Sequence, residues 1–471
     1  MRNFRKALFF FLVPAAAVWA GEPVNQPSAF TSGNIKPYSF SITFTGSGAD
    51  GYLVLRSTSP ITDVPADGVV YQKGGGVGST KVFSSSASTF ISIKEVHAGT
   101  TYYFAVFAFN GTGSAIDYKQ ANPLTGTVTT TDNQIGTYYS AIDQNATTFI
   151  ADLKNRVNTG KVFVPYGSYA GNIVPAVFER DTVSGQKIVQ CEYSNEVKYY
   201  TAPFSFVALN YSREHSLPKS WMPTGGSTST QEGSDYHNLY LTNLNDVNSP
   251  RSNYPYGEVT SPTETYIDFT MGNNSQGDYI CEPAGNIKGD VARSQFYMMI
   301  CYNGLSGNWG YNNLESNGPD QNADVLLTWH YNDPPDGKEK AKHEYIYSIQ
   351  NNRNPFIDHP EWVDCINFRN LTRYAGCTYT VGVDEMYDQL MVNAWPNPAV
   401  YEVNVLIQKV LPGTVIKLVN TAGQVVYSRS LDITADDYQH TIPVEGLAPG
   451  MYMVQLQSEY YQSIKKIMIQ N

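Results

Sequence analysis

The hydrophobic residues of this chain change their spacing twice, and this change constrains the fold more than any other feature. Near both ends they alternate with polar residues, which is the period-2 pattern of strands with one buried face. Between the ends they recur every three or four positions, as in helices packed on one side. A chain of 471 residues is too long for one ordinary domain. The pattern therefore predicts a multidomain protein, with an α+β core flanked by two all-β sandwich modules.

The first module covers residues 26–130. Phe40, Ile42 and Phe44 alternate in SFSITFTG (39–46), and TYYFAVFAFNGTGS (101–114) repeats the pattern before an Asn-Gly turn. Such runs, separated by turn signals, predict an antiparallel sandwich. The string from Thr100 to Asn110, with Tyr102 in the tyrosine-corner position, resembles a fibronectin type III module. We expect a spacer or an adhesive module, since no catalytic group of residues is evident in it.

The middle region, residues 135–366, follows a polar linker, TTTDNQ (129–134). Apolar residues at near-helical spacing predict four helices in it, and the remainder is expected to mix strands and turns. The predicted helices cover 138–158, 289–302, 323–333 and 338–354.

The last module covers residues 392–471, after a linker at 367–391. Its short alternating strands predict a small sandwich. The order of PNP, I-x-L-x-N-x-x-G-Q-V-V and L-x-P-G-M-Y, followed by a basic final strand, resembles the C-terminal sorting domain of the type IX secretion system. That resemblance implies the type IX machinery as a partner and a secreted or cell-surface location.

Residues 1–20 are predicted to be a signal peptide, with Arg2, Arg5 and Lys6 before the apolar run ALFFFLVPAAAVWA. A membrane anchor is the alternative, but the apolar run is shorter than the roughly 20 residues that cross a bilayer, and no transmembrane segment is expected later. The five cysteines match no zinc pattern. An exported protein can form disulfides, and Cys365–Cys377 is the best local pair, although sequence does not determine the pairing.

Four blocks of the middle region carry the chemistry, and the first contains adjacent Glu214 and His215. Read in order, they resemble the bacterial endonuclease I family, which consists of secreted or periplasmic nucleases with a ββα-metal (His-Me finger) site. An isolated Glu-His pair would more often be a surface dipeptide, and the other three blocks make the resemblance specific. The four blocks are NYSREHSLPKSW (210–221), SDYHNLYLTNLNDVNSPRSNYPYGEV (234–259), EPAGNIKGDVARSQFYM (282–298) and YIYSIQNNRNPFIDHPEW (345–362).

The resemblance implies a role for each matching residue. His215 matches the general base, Glu214 a metal ligand, and Asn248 a second ligand on the helix of the ββα unit. These types suit phosphodiester hydrolysis, because histidine titrates near neutral pH and hard oxygen donors bind Mg²⁺. The implied cation is Mg²⁺, with Ca²⁺ or Mn²⁺ as alternatives. The implied substrates are DNA, RNA or both, cut to leave 5′-phosphates.

Several assignments stay open from sequence alone. Arg251 either binds a phosphate as a catalytic group or holds a loop, and Asn253 is a rival to Asn248 as ligand. Arg213 is a further phosphate-binding candidate. The remaining candidates are expected to be structural; they are Arg293, His237, Asn238 and the segment 351–360 with Arg353, Asn354 and Asp358.

The charge balance opposes the nuclease interpretation. The net charge is −11, whereas non-specific nucleic-acid binding usually needs a positive groove. The gap at 222–233 also lacks the basic insertion that many family members carry there. The alternative is therefore a cell-surface adhesin or binding protein with a degenerate nuclease domain, although Glu214, His215 and Asn248 are all present.

Overall fold

The computed structural model describes two compact units. The described residues up to 374 belong to one unit, and those from 391 onward to the other. Residues 1–19, which hold nearly all of the predicted signal peptide, lie outside the described residues, as does Cys377. Among the residues described, no helix has the length and apolar character to cross a bilayer. The described ranges are 20–182, 185–222, 226–302, 321–374, 391–396, 398–410, 414–420, 424–431, 433, 435–457 and 462–470.

The first module is a β-sandwich, as its alternating sequence predicts. One sheet has the order β1-β2-β6, and the other has the order β4-β5-β3-β7-β8, with β9 also paired to β7. The strands are β1 (Ser28–Gly33), β2 (Ser39–Thr45), β3 (Gly51–Ser57), β4 (Gly76–Val77), β5 (Thr80–Ser86), β6 (Phe90–Lys94), β7 (Thr101–Asn110), β8 (Asp117–Tyr118) and β9 (Leu124–Thr129).

The core of this sandwich comes from the residues that alternate in the sequence. Phe40, Ile42 and Phe44 are buried against residues of β7, which include Tyr102 and Phe104. The hydroxyl of Tyr102 accepts a hydrogen bond of 2.8 Å from the backbone N–H of His97. This is the geometry of a tyrosine corner, so the structure agrees with the position that the sequence gives to Tyr102.

The middle region packs helices and short antiparallel sheets around one apolar core. Helix α6, predicted at 289–302, lies at its centre and is buried along almost its whole length. The helices are α1 (Phe149–Asn158), α2 (Tyr169–Ile173), α3 (Phe206–Leu209), α4 (Gln231–Ser234), α5 (Ser249–Arg251), α6 (Lys288–Tyr302), α7 (Ala323–Asn332), α8 (Gly337–Gln350) and α9 (Pro355–Asp358). The strands are β10 (Arg180–Asp181), β11 (Lys187–Gln190), β12 (Val197–Tyr200), β13 (Tyr211–His215), β14 (Leu239–Asn243), β15 (Ser261–Tyr266), β16 (Phe269–Asn273), β17 (Tyr279–Glu282), β18 (Ile366–Asn367) and β19 (Thr372–Arg373).

The helix predicted at 138–158 is shorter than expected. Only its second half, α1, is helical, and turns precede it. In that stretch the side chain of Asp143 accepts a hydrogen bond of 2.8 Å from the backbone N–H of Asn145. Such a local bond offers the backbone an alternative to the helix, and apolar spacing alone does not reveal it.

The segment expected to be a linker is bonded to the middle region. The backbone N–H of Gln134 donates to Glu344 at 2.6 Å, and the side chain of Asn133 donates to Asp358 at 3.2 Å. The sandwich also contacts the start of α8, where the backbone N–H of Ala98 donates to the carbonyl of Gly337 at 2.8 Å. The sandwich is therefore fixed to the middle region through the described contacts, and the proposed domain boundaries stay predictions.

The second unit is a smaller β-sandwich, also as predicted. Its sheets have the orders β20-β21-β24 and β23-β22-β25-β26. Ile416 pairs with Leu456 and Leu418 with Val454 across neighbouring strands, and all four are buried in its core. The strands are β20 (Met391–Trp395), β21 (Glu402–Val410), β22 (Thr414–Asn420), β23 (Val425–Leu431), β24 (Ala435–Pro443), β25 (Gly450–Gln457) and β26 (Gln462–Ile469).

Gly337 provides a test of the contact between the first sandwich and the middle region. A Cβ there would lie 2.9 Å from both the carbonyl oxygen of Ala98 and the Cβ of His97. We expect Gly337→Val to destabilise the first unit by about 1–3 kcal/mol, the usual cost of overpacking, in urea unfolding. Gly171→Val is the matched control, because a Cβ on Gly171 meets nothing within 4 Å. Equal stability of both variants would contradict the contact.

Candidate active site

The candidate site is built on a two-stranded antiparallel hairpin. Strand β13 pairs with β14, with Glu214 opposite Tyr240 and His215 opposite Leu239. Asn210, with φ of +52°, ends α3 in the left-handed conformation that asparagine tolerates, and β13 starts at the next residue. Because side chains alternate along a strand, Arg213 and His215 share one face and Glu214 points to the other. His215 is the last residue of β13, so the Glu-His pair stands at a strand end.

The chain after β14 turns back onto the hairpin. The side chain of Asn243 accepts hydrogen bonds of 3.0 Å from the backbone N–H groups of Asn245 and Asp246, which starts a helical turn that continues into α5. This turn carries Asn248 to the hairpin, where its side-chain amide donates to Oε2 of Glu214. Two residues that are 34 positions apart therefore meet through their side chains.

Arg251 completes this cluster and is 0% exposed. Its Nη1 donates to Oε1 of Glu214 at 2.8 Å and to the carbonyl of His215 at 3.1 Å. Its Nη2 donates to the carbonyl of Ser216 at 2.7 Å. Of the two roles that the sequence leaves open for Arg251, the contacts favour the holding role. Direct catalysis by Arg251 on a phosphate would need this buried group to leave its partners, and that role stays a prediction.

His215 is buried and held in one orientation. Its Nε2 lies 2.9 Å from the carbonyl oxygen of Gly233. A carbonyl oxygen can only accept, so Nε2 carries the proton and Nδ1 holds the lone pair. The ring of Tyr166 stacks on the imidazole, with centroids 5.5 Å apart and planes at 12°. Burial lowers the pKa of His215 to about 3, so the imidazole is neutral at physiological pH.

Gly233 is a site residue that the sequence did not single out. A Cβ there would lie 2.1 Å from the carbonyl oxygen of Ser227, so a larger residue would displace the carbonyl that holds His215. The segment after Gly233 is anchored by buried Asp235, which pairs with Lys161 at 2.6 Å and accepts from Tyr297 at 2.7 Å. The sequence did not single out Tyr166 either, since it lies 49 positions before His215 and starts a short 3-10 turn that carries no motif.

The carboxylate of Glu214 is in an unusual electrostatic setting. Burial raises the pKa of Glu214 to about 7, although Arg251 and the amide of Asn248 act in the opposite direction. Both of its oxygens already accept hydrogen bonds in this structure. A positive group next to Oε2 would favour the charged form further.

The other candidates are placed as follows. Asn253 is exposed and makes no contact with Glu214 among the described residues. Asn238 brackets Leu217, accepting from its N–H at 2.8 Å and donating to its carbonyl at 3.1 Å. Arg293 is buried against Glu339 at 2.7 Å. The remaining contacts are also internal: His237 with the carbonyl of Asn352, Asn354 with the carbonyl of Arg293, and Arg353 with Glu344 and Asp358.

Among the described residues, no group of three or more His, Cys, Asp and Glu side chains is arranged to hold a metal ion. The pair of Glu214 and Asn248 lies outside that definition, because it combines one carboxylate with one amide. Exchanging the nitrogen and oxygen of the Asn248 amide by a flip would place two oxygen donors side by side. Hard oxygen donors with positions left for water suit Mg²⁺, so the donor set fits the cation that the sequence implies. Cys365 is disulfide-bonded, whereas Cys191, Cys281 and Cys301 are free.

Two family models match this chain. The model described as Endonuclease I matches residues 156–361, which contain the hairpin, α5 and α6. The model described as Secretion system C-terminal sorting domain matches residues 393–470, the small sandwich of the second unit. The C-terminal match, with the extracellular relatives below, identifies the protein as exported to the cell surface or the medium.

Curated relatives agree with the first match. An extracellular ribonuclease of Bacillus amyloliquefaciens is 40% identical over 164 residues, 33% of this chain and 53% of that protein. An extracellular ribonuclease of Bacillus subtilis is 32% identical over 291 residues, 60% of this chain and 90% of that protein. An extracellular deoxyribonuclease of Aeromonas hydrophila is 27% identical over 125 residues, 26% of this chain and 49% of that protein. The chain thus spans about half the length of the Bacillus amyloliquefaciens and Aeromonas hydrophila relatives and 90% of the length of the Bacillus subtilis relative.

Among solved structures, a human fibronectin type III domain is similar to 23% of this chain over 75% of its own length, with 15% identity and a TM-score of 0.17. The sandwich assignment rests on the strand order given above. The match across the hairpin and central helices, together with the coverage of the Bacillus subtilis relative, leads to one conclusion: the chain belongs to the endonuclease I family.

Proposed function

We propose that this protein is a secreted endonuclease that hydrolyses phosphodiester bonds of DNA, RNA or both, with His215 as general base and a divalent cation at Glu214 and Asn248. The observation that carries the proposal is the contact between the side chains of Glu214 and Asn248 beside strand β13, which ends in His215. Curated relatives named as ribonucleases and as a deoxyribonuclease leave both nucleic acids as substrates. The proposed products carry 5′-phosphates.

His215 supplies the base through Nδ1. The carbonyl of Gly233 fixes the proton on Nε2, which leaves the Nδ1 lone pair to accept a proton from an attacking water. The stacked ring of Tyr166 limits rotation of the imidazole. A histidine that is neutral at physiological pH is in the form that this step needs.

Glu214 and Asn248 would hold Mg²⁺, with Mn²⁺ or Ca²⁺ as alternatives. When bound, the cation would stabilise negative charge that develops on the phosphate and on the leaving oxygen. Arg251 serves this site indirectly, because it fixes one carboxylate oxygen of Glu214 and the carbonyls of His215 and Ser216. With a net charge of −11, affinity for nucleic acid should depend on these local groups more than on a broad positive surface.

Plasmid cleavage tests the general base. We expect wild-type protein to cut plasmid with Mg²⁺, and His215→Ala to lose at least about 100-fold in rate, the lower range for general-base catalysis. His359→Ala is the control, because His359 stacks on Trp362 and has no part in the proposed site. Intact plasmid under every cation tested would favour a binding protein with a degenerate nuclease domain.

A Mg²⁺ titration tests the ligands. Asn248→Ala removes an oxygen donor, so we expect half-maximal cleavage to need about tenfold more Mg²⁺ or higher. Asn248→Asp keeps an oxygen at the same position and should need no more Mg²⁺ than wild type. Full wild-type cleavage in excess chelator would contradict the cation requirement.

Urea unfolding tests the positioning role of Arg251. Arg251→Met leaves the buried carboxylate of Glu214 without its cationic partner, which we expect to cost about 3–5 kcal/mol. Arg369→Met is the matched control, since the Arg369–Asp324 pair is exposed and such pairs contribute about 1 kcal/mol or less. Equal losses in the two variants would show that Arg251 does not stabilise the cluster.

A further inference from the structure

Arg213 lies beside the candidate site without belonging to the Glu214 cluster. It stands on β13 two residues before His215, so its side chain leaves the strand on the same face as the imidazole. It is half-buried, whereas Arg251 and Arg293 are both 0% exposed. The face that carries the proposed base therefore also carries an arginine.

Two aromatic rings enclose the guanidinium of Arg213. Its central carbon lies 4.0 Å from the centroid of the Tyr166 ring and 4.3 Å from that of the Phe206 ring. Tyr166 also stacks on His215, so one tyrosine contacts both the arginine and the proposed base. A hydrogen bond of 3.2 Å from Nη1 of Arg213 to the carbonyl of Tyr166 fixes the guanidinium within this aromatic cage.

The cage leaves part of the hydrogen-bonding capacity of Arg213 unused. A guanidinium has five N–H groups, and within the described residues its hydrogen-bond partners all belong to Tyr166. The buried Nε atom has none. No carboxylate of the described residues forms an ion pair with Arg213. By contrast, the buried Arg251, Arg293 and Arg353 each pair with a carboxylate. Arg213 is thus a fixed cation with free donors next to the imidazole.

We propose that Arg213 binds a backbone phosphate of the nucleic acid whose scissile bond lies at His215. The inference rests on the nuclease function proposed above and supplies the phosphate-binding arginine that Arg251, being enclosed, does not. A planar guanidinium matches two phosphate oxygens. Its stacking between two rings reduces the entropy that binding would otherwise cost. Because the net charge of the chain is −11, one such contact would supply a large share of the electrostatic part of the binding free energy.

The salt dependence of binding separates a phosphate contact from a structural role. Each contact adds about 0.9 to the magnitude of the slope of log K against log salt for duplex DNA. We expect Arg213→Gln to reduce that magnitude by about 0.9, measured by fluorescence anisotropy of a labelled 20-base-pair duplex in EDTA, where cleavage is blocked. With Mg²⁺ present, kcat/KM should fall about tenfold or more, as for loss of a charge-assisted hydrogen bond. An unchanged slope would overturn the proposal.

Arg156→Gln is the matched control. Arg156 is also half-buried, lies 3.6 Å over the ring of Tyr138 and has an unpartnered Nε, but it stands on α1. We expect its slope and kcat/KM to equal those of wild type. A change in the slope of Arg156→Gln as large as that of Arg213→Gln would also overturn the proposal, because the effect would then be general.

Arg213→Lys keeps the test decisive if Arg213→Gln does not fold. Lysine keeps the charge but not the planar fork, so we expect a wild-type slope with kcat/KM lowered about tenfold. A wild-type kcat/KM in Arg213→Lys would reject the caged bidentate contact. Wild-type cleavage with Mg²⁺ tests the proposed function separately. If wild type cleaves and Arg213→Gln matches it, only this inference fails, whereas a wild type that neither binds nor cleaves rejects both.

Discussion

The burial of one carboxylate, that of Glu214, is the constraint on which the site depends. A buried charge is costly unless it is paired and hydrogen-bonded. Here the pairing comes from Arg251 and Asn248, which lie on the helical turn after β14. The chain must therefore fold that turn back onto the hairpin to satisfy the carboxylate. The same folding brings the side-chain amide of Asn248 beside a carboxylate oxygen of Glu214. After a flip of that amide, its oxygen and the carboxylate would form the hard donor set that suits a hydrated divalent cation.

A second buried network orients the base. Gly233 presents its carbonyl to His215, and the segment that follows it is fixed through Asp235, which is bonded to Lys161, Tyr297 and Gln350. Asn238, in the turn just before β14, then holds Leu217, just beyond His215. The imidazole is thus held by buried groups of the protein itself, in keeping with the general need of a catalytic group for a rigid support.

Parts of this arrangement could be predicted from the sequence, and the reasons differ between elements. Helix α6 follows an apolar pattern that is dense enough to predict 289–302, and the helix found is Lys288–Tyr302. The turn before α1 could not be predicted from apolar spacing, because local side-chain bonds such as that of Asp143 compete there with the helix. The strands β15, β16 and β17 were not predicted individually, because all three strands are short and β15 is polar and mostly exposed.

In the candidate site, too, some features could be predicted from the sequence and others could not. The motif residues Glu214, His215 and Asn248 could be singled out as candidates from the sequence because they stand in recognisable blocks. The enclosure of Arg251, the glycine requirement at residue 233 and the aromatic cage of Tyr166 and Phe206 depend on contacts between segments far apart in the chain. No local pattern encodes such contacts, so only the three-dimensional arrangement reveals which arginine is enclosed and which has free donors.

The central claim is that Glu214 and Asn248 together hold a divalent cation next to His215. Anomalous diffraction from crystals soaked in Mn²⁺ tests it most directly, because the ion is located without reference to activity. We predict one strong peak bonded to a carboxylate oxygen of Glu214 and to the side-chain oxygen of Asn248, within reach of a water beside Nδ1 of His215. A well-occupied peak elsewhere, with none between these two side chains at saturating Mn²⁺, would contradict the account.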